Sequence, residues 1–223
     1  MLMTATRIGI TFRKCGKSPL AISLLVAASL WFAMFSPWTA PHINFWGCMT
    51  LSACILTCFA IFFGGRESFG KGDGTSLVAT CLWGFVIAIL LWGIFYAGDK
   101  ISQLLLPFSR AQVILIYNIR GDVSPILLSM LLLFVIGPAE EIFWRGYVQR
   151  TLSDCQTPLM AFMLTTGCYT IVHLPSGNFM LIMAALSCGI VWGGLYWLMP
   201  HKLKAIIVSH ALWDAAAFIW FPF

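Results

Sequence analysis

The chain has 223 residues, of which 60% are hydrophobic, 15% are aromatic and only 9% are charged. Soluble globular domains carry roughly 25% charged residues, so this composition excludes a soluble protein. It also excludes a disordered chain, which needs low hydrophobicity, and a nucleic-acid-binding protein, which needs a clustered basic surface. The net charge of +5 is therefore interpreted by position, because Lys and Arg mark the cytoplasmic side of membrane proteins.

Seven apolar segments are long enough to cross a hydrocarbon core of about 30 Å as helices, which takes about 20 residues each. They lie at about 20–37, 43–64, 76–97, 124–143, 157–174, 178–199 and 204–221. The apolar segment 101–119 contains Pro107, Ser109 and Arg110, so it is either an interfacial or re-entrant helix or an eighth span. The sequence predicts an all-α membrane helical bundle with seven to eight transmembrane helices, formed by residues 1–223 as a single integral membrane domain.

The distribution of cations favours seven spans with a cytoplasmic N-terminus. In that topology three cations lie outside, namely Lys100, Arg110 and Arg120. The cytoplasmic side holds the other ten, which are Arg7, Arg13, Lys14, Lys17, Arg66, Lys71, Arg145, Arg150, Lys202 and Lys204. An eighth span would move four of these ten to the outside. The first apolar segment is long for a signal peptide, so it is interpreted as a retained signal anchor of a multi-pass protein of the cell membrane.

Ionisable residues inside membrane spans are rare, because each costs at least about 2.5–3.5 kcal/mol, and they are therefore candidates for function. The predicted spans contain five of them: Glu140, Glu141, His173, His210 and Asp214. Glu141 and Arg145 are four residues apart, which favours an ion pair that leaves Glu140 free. Pro138 removes a backbone hydrogen bond just before this pair, so we expect a bend that opens space for water.

The two histidines of the spans have polar neighbours at helical spacing. His210 and Asp214 share one face of the last span, and His173 follows Tyr169 by one turn. Each pair also has a structural interpretation, as an ion pair or as an interhelical hydrogen bond. The occurrence of five such residues in one half of the chain favours a functional site.

These residue types indicate hydrolysis by an activated water. An unpaired carboxylate in a low-dielectric environment is a stronger base than in water, so Glu140, with His173, is expected to deprotonate a water that attacks a carbonyl carbon. His210 is a candidate donor to the oxyanion, whereas Asp214 is expected either to orient His210 or, when protonated, to donate itself. No nucleophile motif surrounds a Ser or Cys residue.

A metal-dependent version of the same reaction remains open. Glu140, His173, His210 and Asp214 satisfy the ligand count of a divalent ion such as zinc. The HExxH signature of the commonest zinc peptidases is missing. Sequence alone does not separate a water activated by glutamate, which requires no cofactor, from one activated by a metal.

Three motifs occur in order in the second half of the chain: EExxxR (Glu140, Glu141, Arg145), aromatic-xxx-His (Tyr169, His173) and His-xxx-Asp (His210, Asp214). Through them, residues 124–221 resemble the CAAX protease and bacteriocin-processing (CPBP) family of intramembrane peptidases. The resemblance implies a core of typically eight transmembrane helices. It also implies that Glu140 and His173 activate the water and that His210 and the position of Asp214 stabilise the oxyanion.

Further implications concern the supporting residues and the substrate. By the same resemblance, Glu141 and Arg145 support the site. Tyr169 stands where Phe is common in the family, and Asp214 stands where the best-understood CAAX endopeptidases have Asn. The family resemblance implies a membrane-anchored protein or peptide as substrate, lipidated or anchored at its C-terminus and presented by the lipid bilayer, and no nucleic acid.

Two other functions are compatible with the pattern. Glu and His residues in spans also form the proton relays of proton- or ion-coupled transporters, although transporters are usually built from repeated halves and the polar residues here lie only in the second half. An inactive immunity or scaffold member of the same family is the other alternative. The intact motifs argue against it.

Overall fold

The computed structural model describes residues 17–70, 72 and 74–223, and within them all regular secondary structure is helical. Seven helices in this part of the chain are long and apolar enough to cross a membrane, and one short helix lies between the third and the fourth. In chain order they are α1 (Ser18–Phe35), α2 (Phe45–Phe69), α3 (Leu77–Leu105), α4 (Ser109–Asn118), α5 (Pro125–Ser153), α6 (Pro158–Ser176), α7 (Phe179–Leu198) and α8 (Pro200–Trp220). The predicted all-α polytopic bundle is confirmed.

The segment 101–119 does not form an eighth span. Leu106, which precedes Pro107, adopts an extended backbone (φ −126°, ψ 104°) and ends α3, because proline disfavours helical geometry in the residue before it. The following helix α4 has ten residues, which corresponds to about 15 Å and is too short for a hydrocarbon core of about 30 Å. Of the two counts predicted from the sequence, the described residues therefore support seven.

Helix α5 is irregular around the residues that carry the first motif. A π-helical turn, Leu132–Ile136, precedes the α-helical turn Gly137–Glu141, and a longer π-helical segment, Ile142–Gln149, follows it. Pro138 has no N–H to donate to the preceding turn, and the adjacent Gly137 N–H donates to the Leu132 carbonyl five residues back. The local disturbance predicted at Pro138 thus takes the form of widened turns, a geometry that often marks functional sites.

Small residues bring α5 against α8. A methyl group at Gly137 would lie 2.8 Å from Cα and 2.9 Å from the backbone N of Ala211, so only glycine allows this approach. Close backbone contact through small residues is the usual way in which membrane helices pack. Because Ala211 follows His210 directly, the contact sets the glutamates of α5 beside the histidine of α8.

The outer surface of the bundle is apolar, as a lipid-facing surface requires. Large side chains such as Leu25, Phe62 and Leu104 are exposed. The cysteines of the apolar runs, Cys48, Cys54, Cys58, Cys81, Cys168 and Cys188, are all free. Free cysteines in such apolar segments behave as small hydrophobic residues.

Two charged residues lie elsewhere than predicted. Arg145, counted among the cytoplasmic cations, is buried within α5 and is 1% exposed. Asp99, which follows the predicted span 76–97, lies in the last turns of α3 and is buried. Of the other cations used for the topology, Arg7, Arg13, Lys14 and Lys71 lie outside the described residues, as does the side chain of Lys17.

Candidate active site

Glu140 is a buried acid on α5 with a tyrosine as its hydrogen-bond partner. The Tyr169 hydroxyl of α6 donates to Glu140 Oε2 over 3.0 Å. No ion pair among residues 17–70, 72 and 74–223 includes the Glu140 carboxylate. The expectation that Arg145 leaves this carboxylate free therefore agrees with the geometry.

Glu141 connects α5 to α8. Its Oε1 accepts a hydrogen bond from Arg145 Nη1 over 2.6 Å and a second one from His210 Nδ1 over 2.7 Å. The pair with Arg145 was predicted from the spacing, and the contact with His210 was not. The Arg145 guanidinium also lies 5.1 Å from the centre of the Tyr169 ring, so this buried cation is compensated by a carboxylate and by an aromatic face.

His210 lies between two carboxylates and an indole. Its Nε2 is 3.4 Å from Asp214 Oδ2, and its ring stacks on Trp192 with 3.8 Å between centroids. Trp192 is itself fixed by the hydrogen bond from its Nε1 to Ser209 Oγ, 3.1 Å long. This geometry supports the orienting role considered for Asp214.

Protein groups contact both ring nitrogens of His173. Nδ1 is 2.7 Å from the backbone carbonyl of Tyr169, and since a carbonyl only accepts, Nδ1 carries the proton. Nε2 accepts a hydrogen bond from Trp31 Nε1 over 3.2 Å, since an indole N–H only donates. The imidazole is therefore in its neutral Nδ1–H form, and its one lone pair faces Trp31.

The candidate catalytic side chains surround one cavity inside the helical bundle. The cavity has a volume of about 580 Å³. Its lining includes Glu140, Tyr169, His173, His210 and Asp214, and on another side Asp99. The remaining lining is largely apolar, with Phe35 of α1 and Trp46 of α2 among the aromatic residues. An apolar cavity of this size with a few convergent polar groups is typical of a ligand or substrate site.

Several residues of this site were not predicted from the sequence. Trp31 and Phe35 of α1 contact His173, Trp192 of α7 stacks on His210, and Asp99 of α3 lines the same cavity. The sequence did not mark the three aromatic residues as members of the site, because aromatic residues are expected in the apolar segment of any membrane helix. Asp99 lies between Gly98 and Lys100, and this polar segment resembles the end of a membrane span, so Asp99 was not expected inside the bundle.

The four possible metal ligands do not form a cluster. Among the residues that the structure describes, no group of three or more His, Cys, Asp or Glu side chains is arranged to hold a metal ion. The nitrogens of His210 face Glu141 and Asp214, and those of His173 face Tyr169 and Trp31. Ligation by either histidine would require these contacts to break.

Comparison with known proteins identifies the second half of the chain. Residues 122–216, somewhat less than half of the chain, match the family model described as "Type II CAAX prenyl endopeptidase Rce1-like". The match agrees with the range 124–221 inferred from the motifs and includes every residue of the three motifs. No curated protein and no solved structure matches the chain. Trp31, Phe35 and Asp99 lie outside the matched range.

Proposed function

We propose that the chain, whose residues 122–216 match the type II CAAX prenyl endopeptidase model, is a member of the CAAX protease and bacteriocin-processing family and an intramembrane endopeptidase of the glutamic type. Its substrate is a membrane-associated protein or peptide that is lipidated or anchored at its C-terminus. The observation that carries the proposal is the convergence of Glu140, His173 and His210 on one cavity inside the bundle.

In the proposed reaction Glu140 is the general base. A water between Glu140 and His173 gives a proton to the Glu140 carboxylate while its oxygen attacks the carbonyl carbon of the scissile peptide bond. Glu140 then passes this proton to the leaving nitrogen as the C–N bond breaks, which yields a carboxylic acid and an amine. The Tyr169 hydroxyl, 3.0 Å from Glu140 Oε2, holds the carboxylate in place during both transfers.

His210 stabilises the oxyanion of the tetrahedral intermediate. Its two ring nitrogens face Glu141 and Asp214, and since carboxylates accept, each nitrogen is a donor when both acids are ionised. The contact to Asp214 is long, at 3.4 Å, so the Nε2–H is available to the developing negative charge. A donor fixed in a site with little water stabilises an oxyanion more than water does.

Cleavage of membrane-anchored substrates by the purified protein tests this mechanism. The Glu140→Gln variant is expected to lower kcat by about 100-fold to 10,000-fold, which is the usual contribution of a general base. Glu67→Gln, at an exposed glutamate outside the cavity, is the matched control and should keep the wild-type rate. Unchanged cleavage by Glu140→Gln would contradict the proposal.

A chelator separates the two ways of activating the water. If Glu140 acts without a metal, incubation with a strong zinc chelator leaves the rate of cleavage unchanged. Loss of activity that is restored by added zinc would instead assign the activation to a metal ion. The measurement uses the same substrate and the same protein preparation as the comparison of variants.

A further inference from the structure

The ring of His173 has a single lone pair, and α1 occupies it. Because Nδ1–H donates to the Tyr169 carbonyl, only Nε2 can accept a hydrogen bond from a water. In the structure this position is taken by the indole N–H of Trp31, 3.2 Å away. Trp31 is 1% exposed and lies behind His173, outside the cavity lining.

The orientation of His173 does not depend on this hydrogen bond. The Tyr169 carbonyl fixes Nδ1 over 2.7 Å. The rings of Tyr169 and Phe35 pack against the imidazole with centroids 5.1 and 5.5 Å away. The hydrogen bond from Trp31 therefore adds little to the placement of the ring. It does prevent Nε2, the one ring atom that can accept a hydrogen bond, from accepting one from water.

Phe35 connects this contact to the cavity. It follows Trp31 by four residues, so both side chains lie on one face of α1. Phe35 lines the cavity and packs on the imidazole, whereas Trp31 binds the imidazole from behind. Phe35 is therefore a cavity-lining residue on the same face of α1 as Trp31.

We propose that Trp31 is a latch on His173: it occupies Nε2 while the cavity is empty and releases it when a substrate displaces Phe35. The inference rests on the proposed function and extends it to α1, which lies outside the matched residues 122–216. Substrate entry would then complete the water-activating pair, as in enzymes that use induced fit.

Trp31→Phe tests the latch, because it removes the N–H and keeps an aromatic ring. Because the substrate no longer has to break this bond on binding, the variant is expected to lower KM about threefold to twentyfold, the factor that one interhelical hydrogen bond of this kind contributes, with kcat unchanged. Trp38→Phe makes the same change at an exposed tryptophan outside the cavity and should leave KM as in the wild type. An unchanged or raised KM in Trp31→Phe would overturn the proposal.

A spectroscopic measurement on the full-length protein does not depend on the Trp31 variant. Loss of a hydrogen bond moves the proton resonance of the donating indole N–H upfield. In Glu140→Gln, a membrane-anchored peptide that the wild type cleaves is expected to shift the Trp31 Nε1–H resonance in this direction. A resonance that does not move when the peptide binds would overturn the latch.

These results separate failure of the latch from failure of the proposed function. Activity that is lost in Glu140→Gln, together with an unchanged KM in Trp31→Phe, refutes the latch alone. Activity that persists in Glu140→Gln refutes the proposed mechanism, and the latch falls with it. Addition of Glu140→Gln to Trp31→Phe should lower the rate of cleavage as much as Glu140→Gln does alone, since the released His173 acts only together with the base.

Discussion

Glu141 and Glu67 form two ion pairs that differ in burial, and burial determines how strongly the loss of one partner destabilises the protein. Glu141 and Arg145 are both buried, with 0% and 1% of their side chains exposed, and His210 shares the same carboxylate oxygen. Glu67 also pairs with an arginine, Arg150, but 53% of its side chain is exposed. Removal of one partner of a buried pair leaves an uncompensated charge, whereas water replaces a partner at the surface.

Replacement of Glu141 by Gln is therefore expected to destabilise the protein strongly. The expected loss in the free energy of unfolding is about 3–5 kcal/mol, the typical cost of breaking a buried ion pair. Glu67→Gln, the matched change in the exposed pair, should cost about 0.2–1 kcal/mol. Unfolding of both variants in detergent measures the difference, and equal losses would show that burial does not control the strength of these pairs.

Asp214 tests the orienting role through two substitutions. Asp214→Asn keeps a side-chain oxygen beside His210 Nε2, so we expect it to retain kcat within about tenfold of the wild type, less than the loss of a general acid or base. Asp214→Ala removes this oxygen and should lower kcat further. Rates of both variants on one membrane-anchored peptide provide the comparison. Equal rates in the Ala and Asn variants would mean that position 214 does not orient the histidine.

Among the side-chain contacts of the site, the sequence predicted those between residues one helical turn apart. The pair of Glu141 and Arg145 follows from a spacing of four residues. The bond from His210 to Glu141 joins residues 69 positions apart, and that from Trp31 to His173 spans 142 positions. Such contacts depend on how the helices pack, which the periodicity of a single segment does not encode.

The helices themselves were largely predictable, because length and hydropathy decide whether a segment can cross a membrane. All seven predicted spans correspond to helices of the structure. The end of α3 followed less clearly from the sequence, since Gly98, Asp99 and Lys100 resemble a loop but continue the helix to Leu105. The π-helical turns of α5 were also not predicted, because only Pro138 indicated a disturbance there.

The contact between α5 and α8 should be sensitive to a single methyl group. In Gly137→Ala the new Cβ would meet the backbone of Ala211 at 2.8–2.9 Å, so the two helices have to separate and Glu141 moves away from His210. We expect lower thermal stability and a loss of peptidase activity.

Gly167→Ala is the matched control for this prediction. Gly167 also lies in a helix, α6, but the position that its new methyl group would take has no neighbouring atom within 4 Å. The control should be neutral or slightly stabilising, since alanine favours helices more than glycine does. A thermal shift of the same size in both variants would argue against the close packing of α5 and α8.

For the whole molecule, the charges at the helix ends define two sides. Arg150 pairs with Glu67, and Lys202 Nζ donates to Thr75 Oγ1 over 2.8 Å, so these cations share one end of the bundle. At the other end, Arg110 Nη1 donates to the carbonyl of Phe223. By the positive-inside rule the first end is proposed to be cytoplasmic, together with the N-terminus.

Labelling of single cysteines tests this orientation. Cysteine is introduced at His201 or at Asp122, both exposed and separated by three spans, in a chain whose own cysteines have been replaced. A membrane-impermeant maleimide should label Asp122→Cys in intact cells and His201→Cys only after permeabilisation. The reverse pattern would invert the proposed topology.

The match of residues 122–216 to a family of endopeptidases favours hydrolysis over the transporter hypothesis raised by the same Glu and His residues. The sequence predicted the membrane location and the half of the chain that carries the motifs. It did not indicate that α1 contributes to the site, because no motif lies there. Substrate-dependent proton flux in liposomes would be the observation that restores the transporter hypothesis.

The shared carboxylate of Glu141 has a consequence for how this site evolves. Loss of Glu140 or His173 removes a hydrogen-bond partner, but loss of Glu141 or Arg145 leaves an uncompensated charge within the bundle. Glu141 and Arg145 are therefore expected to persist in descendants that no longer cleave anything. Under the proposed mechanism, the residues at 140 and 173, rather than the Glu-Arg pair, are expected to distinguish working peptidases from silent ones in a survey of related sequences.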